Sequence, residues 1–165
     1  MKLTIHQDLA IPETEIVINC AQMDTRLWHL AGLIRQYGFS LTGYQDGKEF
    51  QLPLEQVYYI DSVDGKTFLY LEKEVYSCRE TLAALEGKLA HTWFVRISKN
   101  CIINSNFLQS VRPLFNHRLE AFLPNGEKLI VTRNYIEALK DKLKGANLRR
   151  IFYLFGSLPC VSALP

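Results

Sequence analysis

The sequence predicts a mainly β protein, α+β overall, that is built from antiparallel hairpins with a few short helices. Two Asp-Gly pairs, Asp46-Gly47 and Asp64-Gly65, each lie between two apolar, β-prone runs. Both pairs supply the positive φ angles that tight hairpin turns require. A third alternating run, residues 117–123, is followed by the turn Pro124-Asn125-Gly126 and a return strand over 128–132. We therefore expect an elongated antiparallel β-sandwich with an N-terminal β–α segment.

Composition is that of an ordinary globular protein, and charge is unevenly distributed along the chain. Of the 165 residues, 48% are hydrophobic and 22% are charged, which suits one domain with a small appendage. Residues 1–90 hold eight Lys and Arg against thirteen Asp and Glu, whereas residues 91–150 hold eleven against four. This polarity favours a polyanionic partner for the second half. Uneven surface charge without such a partner is the alternative.

Cysteine usage and the N-terminus indicate a cytoplasmic protein. The four cysteines are far apart and form no C-x-x-C pair, so we expect buried free thiols in a reducing compartment. The first eight residues become polar at once and do not resemble a signal peptide. Since no apolar stretch reaches the ~18 residues of a membrane span, we expect no membrane contact. The cysteines are Cys20, Cys78, Cys101 and Cys160.

Three segments are predicted. Residues 1–43 form an accessory β–α segment, with a strand over 13–19 and a helix from Asp24 to about Tyr37 that ends at Gly38. This segment could pack on the main domain or form a dimer contact, and Trp28 and Tyr37 are the candidate contact residues. Residues 44–144 form the main domain. Residues 145–165 form an apolar tail, which could pack on the domain, mediate self-association or be disordered.

Two helices of the main domain are predicted from capping boxes. In Ser77-Cys78-Arg79-Glu80 the Ser77 hydroxyl would accept a hydrogen bond from the backbone N–H of Glu80. Asn134-Tyr135-Ile136-Glu137 predicts a second box with Asn134 as the cap. Each box would open a helix with an apolar stripe: Leu82, Leu85 and Leu89 in the first, and Ile136, Leu139 and Leu143 in the second.

The candidate binding residues lie at turns and element ends. The apolar runs Trp93–Ile97 and Cys101–Ile103 flank a polar tip, Ser98-Lys99-Asn100. Two further turns, Asp64–Thr67 and Thr132–Asn134, also carry basic or amide side chains. Loops at one edge of an antiparallel sandwich can converge, and their cations could then contact phosphates or guanine edges. The three cations in question are Lys66, Lys99 and Arg133.

Other functional classes have little support in the sequence. The four histidines are dispersed without paired ligand spacing, so no metal site is expected. No G-x-S-x-G, Walker A or dinucleotide-binding glycine pattern is present, so neither an enzyme nor a cofactor is expected. The alternative to nucleic-acid binding is a protein-interaction module with no nucleic-acid ligand, whose docking surface would be the apolar tail.

The stretch Trp93–Asn104 resembles the signature of the LytTR DNA-binding domain, Phe-x-Arg-x-His-Arg/Lys-Ser-x-x-Val-Asn. Four residues match this pattern and Ile103 replaces the Val: Phe94, Arg96, Lys99 and Asn104. The similarity extends through residues 57–67, 118–121 and 126–135, and covers about 44–144. Because only about 43 residues precede the domain, the chain resembles the stand-alone type without a receiver domain.

The resemblance implies a bacterial, response-regulator-like transcription regulator that binds double-stranded DNA as a homodimer. Such domains insert loops, not a recognition helix, into the major groove. The implied base contacts are Lys66, Thr67, Lys99 and Arg133, and the implied phosphate-contacting or phosphate-orienting residues are Arg96, Asn100 and Asn134. Ser98 stands where the family usually has His, and Asn100 where it usually has Ser, so we expect a different base preference. The alternative for Arg96 and Asn104 is a structural role, in which the side chain fixes the loop through backbone hydrogen bonds, and for Asn104 we favour it.

Overall fold

The computed structural model describes residues 4, 5, 8 and 16–144, without the side chains of residues 25, 29, 35, 36 and 144. The described part is mostly antiparallel β-sheet, as predicted. Its helices are α1 Thr25–Gln36, α2 Leu82–Lys88 and α3 Ile136–Lys144. Its strands are β1 Ser40–Gln45, β2 Lys48–Pro53, β3 Tyr59–Val63, β4 Lys66–Tyr70, β5 Val75–Cys78, β6 Phe94–Arg96, β7 Cys101–Asn104, β8 Ser110–Leu114, β9 Arg118–Phe122 and β10 Lys128–Val131.

The strands form two antiparallel sheets. The larger sheet has the order β2-β1-β5-β4-β3-β7-β6, and the smaller has the order β10-β9-β8. The β1–β2 and β3–β4 hairpins close through the predicted two-residue turns. In the second turn Asp64 has a φ of 51° and Gly65 a φ of 76°, the left-handed values that favour Gly and Asp.

The larger sheet buries both of its faces near its centre, which makes the molecule a sandwich. Ile60 and Ile102 point into a core that also contains the leucines of α2. Their neighbours Tyr59 and Ile103 point the other way, into a second core with the smaller sheet and α3. Since strand side chains alternate between faces, β3 and β7 serve both cores. Each fully buried Leu or Ile contributes about 1.5–3 kcal/mol relative to an exposed one.

The prediction of a capping box at Ser77–Glu80 is wrong. Ser77 lies in β5 and its hydroxyl donates to the carbonyl oxygen of Tyr44 at 3.0 Å. Thr81 caps α2 instead, since its Oγ1 accepts from the backbone N–H of Ala84 at 3.3 Å. Residues Val75–Cys78 alternate between exposed and buried, so the β rhythm continues through the predicted box. Pairing with two neighbouring strands outweighs the local capping pattern.

The prediction of a second capping box at Asn134–Glu137 is also wrong. Asn134 lies inside a 3-10 turn, Arg133–Tyr135, which leads directly into α3. Thr132 occupies the cap position of that turn, without a side-chain capping bond. Glu137 forms an ion pair with Lys140 at 2.8 Å instead of reaching back to Asn134. The helix itself is confirmed, with Leu139 and Leu143 buried.

The N-terminal segment agrees with its prediction only in part. Helix α1 is confirmed, and the Asp24 carboxylate accepts from the backbone N–H of Leu27 at 2.8 Å. Residues 16–19 form no strand, so the strand over 13–19 is wrong there; residues 13–15 lie outside the described residues. The helix packs on the main domain, because a Cβ at Gly32 would lie 2.7 Å from the indole of Trp93.

The expectation of buried thiols holds only in part, and one strand was not predicted. Cys78 and Cys101 are buried free thiols, but Cys20 is exposed, and Cys160 lies outside the described residues with the rest of the predicted tail. Strand β8 was not predicted, because Pro113 interrupts its apolar pattern. Proline is tolerated there since β8 is an edge strand of the smaller sheet.

Candidate nucleic-acid interface

One end of the larger sheet brings the three predicted loops together. The β3–β4 turn lies beside the tip loop, residues 98–100, because the backbone N–H of Ser62 donates to the carbonyl oxygen of Asn100 at 2.8 Å. On the other side of the tip loop, the backbone N–H of Thr132 donates to the carbonyl oxygen of Ile97 at 2.9 Å. The backbones of all three loops are therefore joined through β3, the tip loop and the end of β10.

The tip loop is tightly closed by its own hydrogen bonds. The backbone N–H groups of Ile97 and Ser98 both donate to the carbonyl oxygen of Cys101, at 3.0 and 3.3 Å. The Ser98 hydroxyl accepts from the backbone N–H of Asn100 at 3.2 Å. Lys99 and Asn100 are both exposed at the tip of this closed loop. The Ser98 side chain has a half-buried, loop-closing position.

Arg96 clamps the same loop from below. Its Nε donates to the carbonyl oxygen of Ser98 at 3.1 Å and its Nη2 to that of Lys99 at 2.5 Å. Its Nη1 forms an ion pair with Glu86 of α2 at 2.5 Å. All three guanidinium nitrogens therefore have protein partners. The arrangement assigns Arg96 to holding the loop, and it offers less support for direct phosphate contact.

The remaining predicted site residues differ in accessibility. Lys66, Arg133 and Asn134 are exposed at this end of the molecule. Thr67 is the exception, because only 4% of its surface is accessible. It lies opposite Cys78 in the register of β4 and β5, so its side chain points into the sheet's packed face. Thr67 as a base contact is therefore not supported by its position.

Asn104 has the structural role that we favoured for it. The residue is fully buried, and its side-chain amide donates to the carbonyl oxygen of Val57 at 3.1 Å. Its side-chain oxygen accepts from the backbone N–H of Asn106 at 3.2 Å. These bonds satisfy backbone groups at the far end of β7 from the tip loop, so Asn104 fixes the strand that carries the loop.

Sequence reasoning missed the position of Arg79 at this end of the sheet. Arg79 follows β5 directly, and its guanidinium lies 4.1 Å from the centre of the Tyr44 ring. It was missed because the residues around it were assigned to a capping box. The alternation of Val75–Cys78 could have revealed the strand, and with it the placement of Arg79 beside Lys66.

The described residues contain no other obvious reaction centre. They hold no group of three or more His, Cys, Asp or Glu that could bind a metal ion. Burial, together with the charge of Asp61, raises the pKa of the Cys101 thiol, which makes it a poor nucleophile at neutral pH. Within this part of the chain, no helix is both long and apolar enough to cross a membrane.

A rigid β scaffold that presents cationic loops at one sheet end defines a class of loop-based binding domains. The sequence pattern of one such family, the LytTr DNA-binding domain, matches residues 47–144. The chain belongs to this family. The matched range begins at the turn of the β1–β2 hairpin, whereas β1 itself begins at Ser40.

Known proteins that resemble the chain are bacterial regulators. Over 89 residues it is 32% identical to the sensory transduction protein LytT of Enterococcus faecalis, and the aligned region covers 54% of this chain and 37% of that relative. Over 98 residues it is 30% identical to the transcriptional regulatory protein LytR of Staphylococcus aureus, covering 59% and 40%. The chain thus spans about two fifths of the length of these relatives.

A solved LytTr DNA-binding domain from Bacillus cereus has the same fold. It superposes with a TM-score of 0.60 at 23% sequence identity, and the match covers 64% of this chain and 98% of that domain. The mainly β sandwich predicted from the sequence is thereby confirmed.

Proposed function

We propose that this protein is a sequence-specific DNA-binding transcription regulator that inserts loops into the major groove of double-stranded DNA. The observation that carries the proposal is the joining of three cation-bearing loops at one end of a rigid sheet. Phosphates attract such a cluster irrespective of sequence, and loop side chains in the groove can then distinguish base pairs.

The proposed contacts follow from accessibility. Lys66, Lys99 and Arg133 are exposed and are the proposed base contacts, while Asn100 and Asn134 are the proposed phosphate contacts. Lys and Arg suit the O6 and N7 atoms of guanine. Arg96 and Ser98 shape the tip loop and support it from within.

Family membership supports three further parts of the proposal. The protein acts in the cytoplasm without catalysis, binds without a cofactor or small-molecule substrate, and occupies its DNA site as a homodimer. Trp28 and Tyr37, which are 53% and 83% exposed, remain the candidate dimer contacts in the N-terminal segment. A protein-interaction module remains the alternative, but it gives no reason for three cationic loops to share one end.

The test is a gel-shift titration on duplexes selected from a random pool. Arg133→Ala should weaken binding to the selected duplex by roughly 1–3 kcal/mol if Arg133 contacts a base. It should weaken binding to random duplex much less, so the ratio of the two affinities falls. An unchanged ratio would contradict the assignment of Arg133 to base contact.

The matched control is Lys73→Ala. Lys73 is exposed in the turn between β4 and β5, at the opposite end of the larger sheet from Lys66. Its removal lowers the net charge by the same amount as Arg133→Ala. Because it lies away from the proposed interface, affinity for the selected duplex should stay nearly constant.

A further inference from the structure

A further cation, Arg79, lies at the same end of the larger sheet as the three loops. Thr67 of β4 pairs with Cys78 of β5. The next residue towards this end of the sheet is therefore Lys66 in β4 and Arg79 directly after β5. Both residues line one open groove of about 690 Å³. The groove is also lined by Gly47, in the turn of the β1–β2 hairpin, and by Gly65, in the turn of the β3–β4 hairpin.

Arg79 is seated on the Tyr44 ring, and the acids around that ring have other partners: the Glu49 carboxylate forms a hydrogen bond with the Tyr44 hydroxyl. The Arg79 guanidinium lies 4.1 Å from the centre of the Tyr44 ring, within cation–π range. Glu80, its neighbour in the chain, instead pairs with Lys88 of α2 at 2.5 Å. A guanidinium held on a ring face loses little conformational freedom on binding, and because Arg79 lines the open groove, its N–H groups are available to an anion there.

The spacing between Arg79 and the tip loop fits the dimensions of DNA. Arg79 continues β5 and Asn100 precedes β7, and three strand spacings separate β5 from β7. At about 4.8 Å each, the spacings amount to about 14 Å. The major groove is about 12 Å wide. Because about 14 Å exceeds the width of the groove, Arg79 would lie outside it, over the bordering sugar–phosphate backbone, when this end of the sheet lies across the groove and Lys99 is inside it.

We propose that Arg79, seated on Tyr44 beside Lys66, is a phosphate-backbone anchor for double-stranded DNA at the rim of the groove that the tip loop enters. This inference rests on the proposed function and adds a contact that carries no base information. Arg79 would hold the phosphate strand next to the base edge that Lys66 contacts, which sets the angle at which the tip loop enters.

The test compares Arg79→Gln with the wild-type protein on a duplex selected from a random pool and on a random-sequence duplex, at several salt concentrations. Loss of one phosphate contact should reduce the salt slope by about 0.9 and weaken binding roughly eightfold at 0.1 M salt, equally on both duplexes. Arg79→Lys keeps the charge and should keep most of the slope. Tyr44→Leu removes the ring seat and should give a smaller loss than Arg79→Gln.

Lys73→Gln serves as the charge-matched control and should leave the slope unchanged, since Lys73 lies at the opposite sheet end. Thermal unfolding of each variant shows whether the fold is kept. Retention of the salt slope in Arg79→Lys shows that the effect of Arg79→Gln comes from the lost charge. If Arg79→Gln keeps the wild-type slope on both duplexes, the anchor does not exist. If the wild-type protein itself shows no salt-dependent duplex binding, it is the proposed function that fails.

Discussion

Asn104 and Asn134 have the same side chain in opposite environments, and this difference separates folding from binding at the residue scale. Asn104 is fully buried and satisfies backbone groups of Val57 and Asn106. Asn134 is exposed beside Arg133 at the proposed interface. The sequence already favoured a structural role for Asn104 and a contact role for Asn134. The burial and hydrogen bonds of Asn104 support the first of these assignments.

Asn104→Ala should lower the free energy of unfolding by about 2 kcal/mol, because it leaves the buried carbonyl of Val57 without a donor. Asn134→Ala should stay within about 0.5 kcal/mol of the wild-type protein, because an exposed side chain is removed. Urea unfolding measures both. Equal stabilities for the two variants would refute the structural role of Asn104.

Thiol reactivity provides a second test at this scale. Burial raises the pKa of Cys78 and Cys101, and reaction requires the thiolate, which is populated only as pH rises through the pKa. In a Cys160→Ser background at pH 7, an aromatic disulfide reagent should therefore modify the exposed Cys20 rapidly. The other two thiols should react only on unfolding. Rapid reaction of all three in the native protein would mean that the core is more open than described.

At the element scale, the tip loop depends on a clamp from a neighbouring helix. Arg96 joins the carbonyls of Ser98 and Lys99 to Glu86 of α2. The sequence predicted the strands, the turn and the helix around this clamp. The sequence allowed Arg96 to fix the loop through backbone hydrogen bonds, but it could not predict the ion pair with Glu86, because Glu86 and Arg96 come together only when α2 packs on the sheet. The same dependence on packing explains why Ser77 fails as a cap and joins β5.

Arg96→Ala should loosen the tip loop without unfolding the domain, because its donors hold two loop carbonyls. Amide hydrogen exchange at residues 98–101 should become faster by about tenfold, which corresponds to the loss of about 1.4 kcal/mol of local stability. Specific DNA binding should fall with it. Arg112→Ala is the matched control, since it breaks an exposed Arg–Glu pair with Glu120 in the smaller sheet. Unchanged exchange in Arg96→Ala would remove the clamp from the account.

At the scale of the whole molecule, the sequence predicted the antiparallel hairpins well, because Asp-Gly pairs mark two of the turns and β9 alternates between buried and more exposed residues. The Asp-Gly turns fixed the register of the hairpins. The sequence could not predict that Thr67 faces inward, because a shift of one residue in register decides whether a strand residue faces the core or solvent. Nor could it show that α1 packs on Trp93, because Gly32 carries no apolar side chain to mark the contact.

Gly32→Ala tests that packing across the N-terminal segment and the main domain. The added Cβ would lie 2.7 Å from the buried Trp93 ring, so the variant should be destabilised by about 1–3 kcal/mol, or α1 should detach. Gly87→Ala is the matched control in α2, where nothing lies within 4 Å of the added Cβ. It should stabilise the protein by about 0.4–1 kcal/mol. Equal effects of the two substitutions in thermal unfolding would argue against the contact.

The central claim is that one end of the larger sheet binds DNA through its converging loops. The most direct measurement is the salt dependence of binding to a selected duplex, for the wild-type protein and for a variant with Lys66, Lys99 and Arg133 each changed to Gln. If the three cations lie against the duplex, the slope of log K against log salt should fall by about 2 to 3, with loss of preference for the selected duplex. A folded triple variant that keeps both the wild-type slope and the wild-type preference would contradict the account.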